Sequence, residues 1–237
     1  MNELIDIVVS FFTLTILEIV LGIDNLVFLS IISQRLPVSQ QKRARQVGLM
    51  LAWVTRLILL ASVVWIYQLT QPLFHILNTA ISGKDIFLLF GGLFLLAKAT
   101  QEIHSELEPS NSEKKRTTKL GISQFAWVVI QIALLDIVFS LDSVLTAIGL
   151  TQRFWLMALA ITIAILTMIF ASEPLSAFIK RYPSIKMLAL SFLILIGTVL
   201  VADAFEFHIP RGYLYFAMGF SIMVEFLNLI RRKKRKA

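Results

Sequence analysis

Seven stretches of this chain are apolar over lengths close to what a bilayer demands: residues 7–32, 47–69, 86–100, 122–150, 154–170, 186–202 and 213–230. A helix needs about 20 apolar residues to cross a hydrocarbon layer roughly 30 Å thick. In lipid, only helices and closed barrels satisfy their own backbone polar groups. A barrel strand alternates apolar with polar residues, whereas these runs are continuous. Charged residues make up 16% of the chain, against about a quarter in soluble domains. The expectation is an all-α polytopic membrane helix bundle with seven transmembrane helices. The third stretch is short, which suits a tilted or partly buried span. The first and fourth exceed a straight crossing and leave room for tilt or a break.

The charges support that count. Of 22 basic residues, only Lys84, Arg153 and Arg211 fall in loops of one side, with Arg56 inside the second stretch. The others, among them Arg35, Lys42, Arg43, Arg45, Lys98, Lys180, Lys186 and the run from Arg231 to Lys236, alternate onto the opposite side. The positive-inside rule places that side in the cytoplasm, with the N-terminus outside and the C-terminus inside. The net charge of +7 is thereby explained without nucleic acid as a partner. Cysteine is absent, so thiolate metal sites and disulfides are excluded. The N-terminal residues carry Glu3 and Asp6 rather than a basic region, unlike a cleavable signal peptide. No nucleophile and base fall together, and an enzyme is not expected.

Within the apolar segments one ten-residue pattern occurs twice. EIVLGIDNLV spans 18–27 and DIVFSLDSVL spans 136–145, with identical or similar residues at every position. Each copy holds two acids, Glu18 and Asp24 in the first, Asp136 and Asp142 in the second. Each acid costs roughly 2.5–3.5 kcal/mol at a bilayer centre on insertion scales. A polar linker at 106–119 divides the chain into two three-span halves (about 1–105 and 120–206) and a seventh helix at about 212–230. An odd-numbered unit repeated after itself must be inverted, so the expected plan is a single domain of two inverted three-helix repeats plus a C-terminal helix, with a site near the midplane.

On an ideal helix Glu18 shares a face with Asn25, and Asp136 with Ser143, while Asp24 and Asp142 lie about 100° away. Antiparallel packing of the first and fourth helices would gather four carboxylates, with Asn25 and Ser143 as neutral oxygens. Such a cluster requires protons or a cation, and an all-oxygen donor set suits hard divalent ions. Gly22 and Ser140 permit close helix approach or a local break, and one or both helices are expected to be irregular there. The competing reading is structural: buried acids pairing with Arg56 or capping broken helices. Glu173-Pro174 is expected to end the fifth span, Lys98 to snorkel, Gly91-Gly92 to mark a close helix contact, and Glu225 to be the one other deeply placed acid.

The paired EIVLGIDN and DIVFSLDS motifs, the seven-span layout, and the stretches SIKMLALSFLILIGTVLVADAF and YFAMGFSIMVEFLNL resemble the TerC family of integral membrane proteins, in its short bacterial inner-membrane branch without appended soluble domains. The likeness covers essentially the whole chain. It implies inner-membrane residence, kinship with tellurium-resistance and manganese-export proteins, and motif residues Glu18, Asp24, Asn25, Asp136, Asp142 and Ser143 as metal ligands. Three functions are expected to compete. The first is export of a divalent metal, Mn²⁺ foremost, by proton exchange, with no tightly bound cofactor. The second is a membrane scaffold or assembly factor tied to tellurium resistance or to the metallation of exported proteins. The third is an amino-acid or small-cation exporter, with Arg56 recognising a carboxylate. The lipid bilayer and a divalent ion are the expected partners, and a homo-oligomer is left open.

Overall fold

Apolar residues in continuous runs leave the backbone no partner but itself, and the chain resolves into helices. The computed structural model describes residues 2–62, 72–76, 79–107, 123–151, 153–207 and 209–236. Among them are seven helices: α1 (Asn2–Ser33), α2 (Val38–Ala61), α3 (Gly83–Leu107), α4 (Gln124–Leu150), α5 (Phe154–Arg181), α6 (Pro183–Ala204) and α7 (Arg211–Lys236). Six are long and apolar enough to cross a bilayer, and the 124–140 part of α4 is a shorter apolar helix. α1, with 32 residues, is about 48 Å long at 1.5 Å per residue, more than a perpendicular crossing uses.

The helices form two compact units, residues 1–71 with 111–179 and residues 72–110 with 180–237. The first holds α1, α2, α4 and nearly all of α5. Large apolar residues at Val9, Phe12, Ile16, Val20 and Ile23 form an exposed stripe on α1, while Leu14, Leu26 and Leu29 are buried. A 3.6-residue period sorts one face toward lipid and the other toward protein. α2 buries Ala44, Gly48 and Ala52, a small residue every turn. A Cβ at Gly48 would stand 2.6 Å from Ile132 Cγ2, so the missing side chain is what lets α4 approach so closely. Trp53 Nε1 donates to Thr162 Oγ1 at 3.0 Å, fastening α2 to α5.

The second unit pairs α3 with α6. A Cβ on Gly92 would lie 2.7 Å from the carbonyl oxygen of Gly197, so the expected close contact is there. Lys186 is ion-paired with Glu106, and Lys98 lies over the Phe94 ring. A short hairpin, β1 (Pro72–Ile76) with β2 (Thr79–Ser82), pairs antiparallel before α3. The apolar pattern did not anticipate it. Ser82 and Asp85 exchange hydrogen bonds in a reciprocal cap at the start of α3: Ser82 N donates to Asp85 Oδ2 at 2.9 Å and Asp85 N to Ser82 Oγ at 3.3 Å.

Several boundaries differ from expectation. α2 starts at Val38 and ends at Ala61, so part of the 47–69 stretch lies outside the described residues, as does most of the linker. α3 runs well past residue 100. Glu173-Pro174 does not end α5, which continues for seven residues beyond Pro174 to Arg181. Proline removes one helical donor, but both flanks stay anchored to α2: Glu173 pairs with Lys42 at 2.7 Å, and Ser176 Oγ receives Arg45 Nη1 at 3.3 Å. Nor is either motif helix broken. The helical backbone passes uninterrupted through Gly22 and Ser140. Gly22 serves close packing instead, since a Cβ there would meet Met168 Sδ at 2.6 Å. Ser140 keeps its hydroxyl on its own helix, donating to the Ile137 carbonyl at 3.2 Å.

Candidate functional site

Three buried stripes converge in the first unit. On α1, Leu14, Glu18, Gly22, Leu26 and Leu29 face inward. On α2 the stripe through Gly48 and Ala52 continues to Arg56 and Leu60, and on α4 Ile132, Asp136, Ser140 and Ser143 are buried. The helical period thus turns each motif's first acid away from lipid, and the small residues bring the three helices close enough for side chains to meet.

They meet on Arg56. Its guanidinium donates from Nη1 to Glu18 Oε2 at 2.9 Å, from Nη2 to Asp136 Oδ1 at 2.6 Å and from Nε to Asp136 Oδ2 at 3.2 Å. Glu18 is 1% exposed and Arg56 2%. The fork toward Asp136 is the two-point geometry that suits arginine rather than lysine. Two carboxylates share one guanidinium, so with all three ionised the cluster carries one net negative charge in a setting where charge is costly.

Asn25 Nδ2 donates to Asp136 Oδ1 at 3.2 Å, and Ser143 lies beside Glu18. The first residue of each motif copy therefore meets the eighth residue of the other. The order reverses between the helices, 18 with 143 and 25 with 136, so the two copies run antiparallel. Glu18 Oε1 and Asn25 Oδ1 are buried acceptors without a hydrogen-bond partner among the described residues. Beside Asn25 and Asp136 is a cavity just large enough for one water-sized occupant, bordered also by Ala52 and Ile132.

The remaining predicted ligands sit differently. Asp24 is half-buried and makes no hydrogen bond or ion pair among the described residues. The side chain of Asp142 lies outside the described residues. Ser143 Oγ donates to the Ser140 carbonyl at 3.3 Å. Among the described residues no three acids or histidines gather in a way that would hold a metal ion. Glu18, Asn25, Asp136 and Ser143 come together, but around an arginine. Glu225 Oε1, in the other unit, is buried without a hydrogen-bond partner among the described residues.

A second buried cation escaped sequence reasoning. Arg45, counted there as a loop charge, lies within α2 and is buried, with Nη1 donating to Ser33 Oγ at 3.4 Å and Ser176 Oγ at 3.3 Å. Ser33 is the last residue of α1, so the guanidinium stands at the negative end of that helix dipole. Gln41 Nε2 also donates to the Leu36 carbonyl, at 2.8 Å, closing the same turn. The available signal was helical spacing: Gln41, Arg45, Gly48, Ala52 and Arg56 fall on one face.

Long apolar helices around a buried ion-pair cluster define an integral membrane protein with several spanning helices. The family described as "Integral membrane protein TerC family" matches residues 4–237, and the chain belongs to it. It is 52% identical over 222 residues to the UPF0053 inner membrane protein YgdQ of Escherichia coli K12, covering 94% of this chain and 92% of that one. A UPF0053 protein of Haemophilus influenzae is 49% identical over 233 residues, covering 96% and 95%. The UPF0053 inner membrane protein YoaE of E. coli K12 is 49% identical over 221 residues, 93% of this chain but 42% of its own length. No solved structure matches. Like the two E. coli relatives, the chain is an inner membrane protein.

Proposed function

We propose that the chain is a secondary transporter that exports a divalent metal ion, Mn²⁺ foremost, in exchange for protons. One observation carries this reading: equivalent acids of two antiparallel motif copies, Glu18 and Asp136, converge deep inside one unit, where oxygen acceptors stay unsatisfied among the described residues. Acids inside membrane spans characteristically mark ion pathways, and antiparallel repeats with a central site characterise secondary transporters. The inverted three-helix plan follows the same logic. α1 with α2 and α4 with α5 fall in one unit, and the third helix of each half, α3 and α6, in the other. Asp24, Asp142 and the neutral oxygens of Asn25 and Ser143 complete the proposed ligand set. The orientation has the N-terminus outside and the C-terminus in the cytoplasm.

A scaffold or assembly role is the second reading. It is favoured by the fact that Arg56 already satisfies much of the acid pair, as a structural ion pair would. Arg56 is engaged on both sides, so it is a poor receptor for a substrate carboxylate, which weighs against an amino-acid exporter. The deciding experiment is metal flux in proteoliposomes over a panel of divalent ions, with and without a pH gradient. Mn²⁺ movement that collapses the proton gradient supports export. Intact protein that moves none of the ions supports the scaffold.

A further inference from the structure

Glu18 and Asp136 come from matching motif positions, yet both are held by a side chain from outside the motif. We infer that the Arg56 guanidinium is a tethered cation occupying this acid pair in place of cargo, so that a metal ion binds only by displacing it. The inference rests on the reading of the motif acids as a cation site, and it adds how that site is regulated.

The charges point this way. Two acids face one guanidinium, and Glu18 Oε1 and Asn25 Oδ1, both buried, receive no donor among the described residues. With both acids ionised the cluster is under-compensated with Arg56 in place and strongly anionic without it. Space points the same way. The cavity beside Asn25 and Asp136 admits about one water, too little for a divalent ion that keeps part of its hydration shell, whereas withdrawal of the guanidinium frees space next to both acids. Arginine does not lose its proton in proteins, so it cannot vacate the acids by deprotonating. An incoming ion must outcompete a fixed unit charge that has three hydrogen bonds. A divalent ion brings twice that charge to the same oxygens; a monovalent ion brings no electrostatic advantage. Arg56 thereby acts as a selectivity filter against Na⁺ and K⁺.

The test is Mn²⁺ binding to purified full-length protein, read from loss of the free-ion electron paramagnetic resonance signal. Arg56→Gln should lower the Kd for Mn²⁺ by at least about tenfold and allow Na⁺ to compete measurably, whereas Na⁺ should not compete in the unsubstituted protein. Arg56→Lys, which keeps the charge, should stay near the original affinity. If Arg56→Gln fails to fold, the same step is made in a Glu18→Gln background, where one acid rather than two is left unpaired. The affinity should rise there relative to Glu18→Gln alone. A folded Arg56→Gln protein that binds Mn²⁺ no more tightly overturns the inference, as does an unchanged affinity in the Glu18→Gln background. Vesicle flux with the unsubstituted protein separates the two ideas. Metal movement without the affinity gain sinks the tethered cation and leaves the exporter. The affinity gain without metal movement does the reverse.

Discussion

Asn25 on α1 donates to Asp136 on α4 at 3.2 Å, joining the eighth residue of one motif copy to the first residue of the other. In the reverse sense Ser143, the eighth residue of the second copy, lies beside Glu18, the first residue of the first. A pairing of this kind follows when two similar helices pack antiparallel with a common register, because each acid then meets the other copy's neutral oxygen or amide. Arg56 interrupts the symmetry. It comes from α2, gives two bonds to Asp136 and one to Glu18, and so makes chemically similar acids unequal.

That inequality predicts unequal losses. Asp136→Asn removes the acid bound at two points and leaves Arg56 with a single anionic partner; Glu18→Gln leaves the two-point pair intact. Breaking a buried pair by removing one partner costs about 3–5 kcal/mol. Asp136→Asn is expected at that level and Glu18→Gln below it. Thermal unfolding in detergent micelles, followed by near-ultraviolet circular dichroism, should rank them in that order. An equal loss from both would show that the extra bond to Asp136 carries no weight.

Asp24 should behave oppositely. It has no hydrogen bond or ion pair among the described residues, so neutralising it removes no stabilising contact. Asp24→Asn is expected to leave stability within about 0.5 kcal/mol of the original, or to raise it slightly. Mn²⁺ efflux should nevertheless fall by an order of magnitude or more if this acid conducts the ion. Efflux assays on cells expressing equal amounts of protein check this beside the melting temperature. Undiminished efflux would remove Asp24 from the ion path.

These contrasts were partly legible in the sequence. Helical periodicity alone puts Glu18 with Asn25 and turns Asp24 about 100° aside, which matches one pair inside the cluster and one acid without a partner. It also exposes the lipid-facing stripe of α1. Tertiary distance is not written in spacing, however. Arg56 was visible as a buried counter-ion, but nothing local showed that it would take both acids at once. Basic residues near a span end are usually loop charges, and only packing against Ser33 and Ser176 buries Arg45. Pro174 was read as a stop because local propensity opposes it, yet contacts from Glu173 and Ser176 to α2 accompany an unbroken helix. Gly22 and Ser140 suggested breaks, since small residues serve breaks and close contacts equally.

The glycine contacts can be tested in the same way. A Cβ on Gly92 would meet backbone, the Gly197 carbonyl oxygen at 2.7 Å and Val201 N at 3.0 Å; a Cβ on Gly22 would meet the thioether of Met168. Backbone cannot step aside without separating α3 from α6, whereas methionine has other rotamers. Gly92→Ala is expected to cost about 1–3 kcal/mol through overpacking, and Gly22→Ala clearly less. Hydrogen exchange should show the Gly92→Ala loss concentrated in α3 and α6. A larger loss from Gly22→Ala would mean that Met168 is more rigidly held than its chemistry suggests.

The orientation offers a direct test because the chain contains no cysteine. A single introduced thiol is then the only one that a maleimide can label. Arg43 is exposed near the start of α2, and Gly212 is exposed at the start of α7 with nothing within 4 Å of an added Cβ. Seven crossings put these positions on opposite sides, and the weight of basic residues assigns the Arg43 side to the cytoplasm. Gly212→Cys should react with a membrane-impermeant maleimide in spheroplasts, and Arg43→Cys only after the membrane is opened. The reverse pattern would invert the orientation and turn the proposed exporter around. Labelling of both from outside would require an even number of crossings between them, against the five spans from α2 to α6, and would undo the three-plus-three arrangement on which the antiparallel motif copies depend.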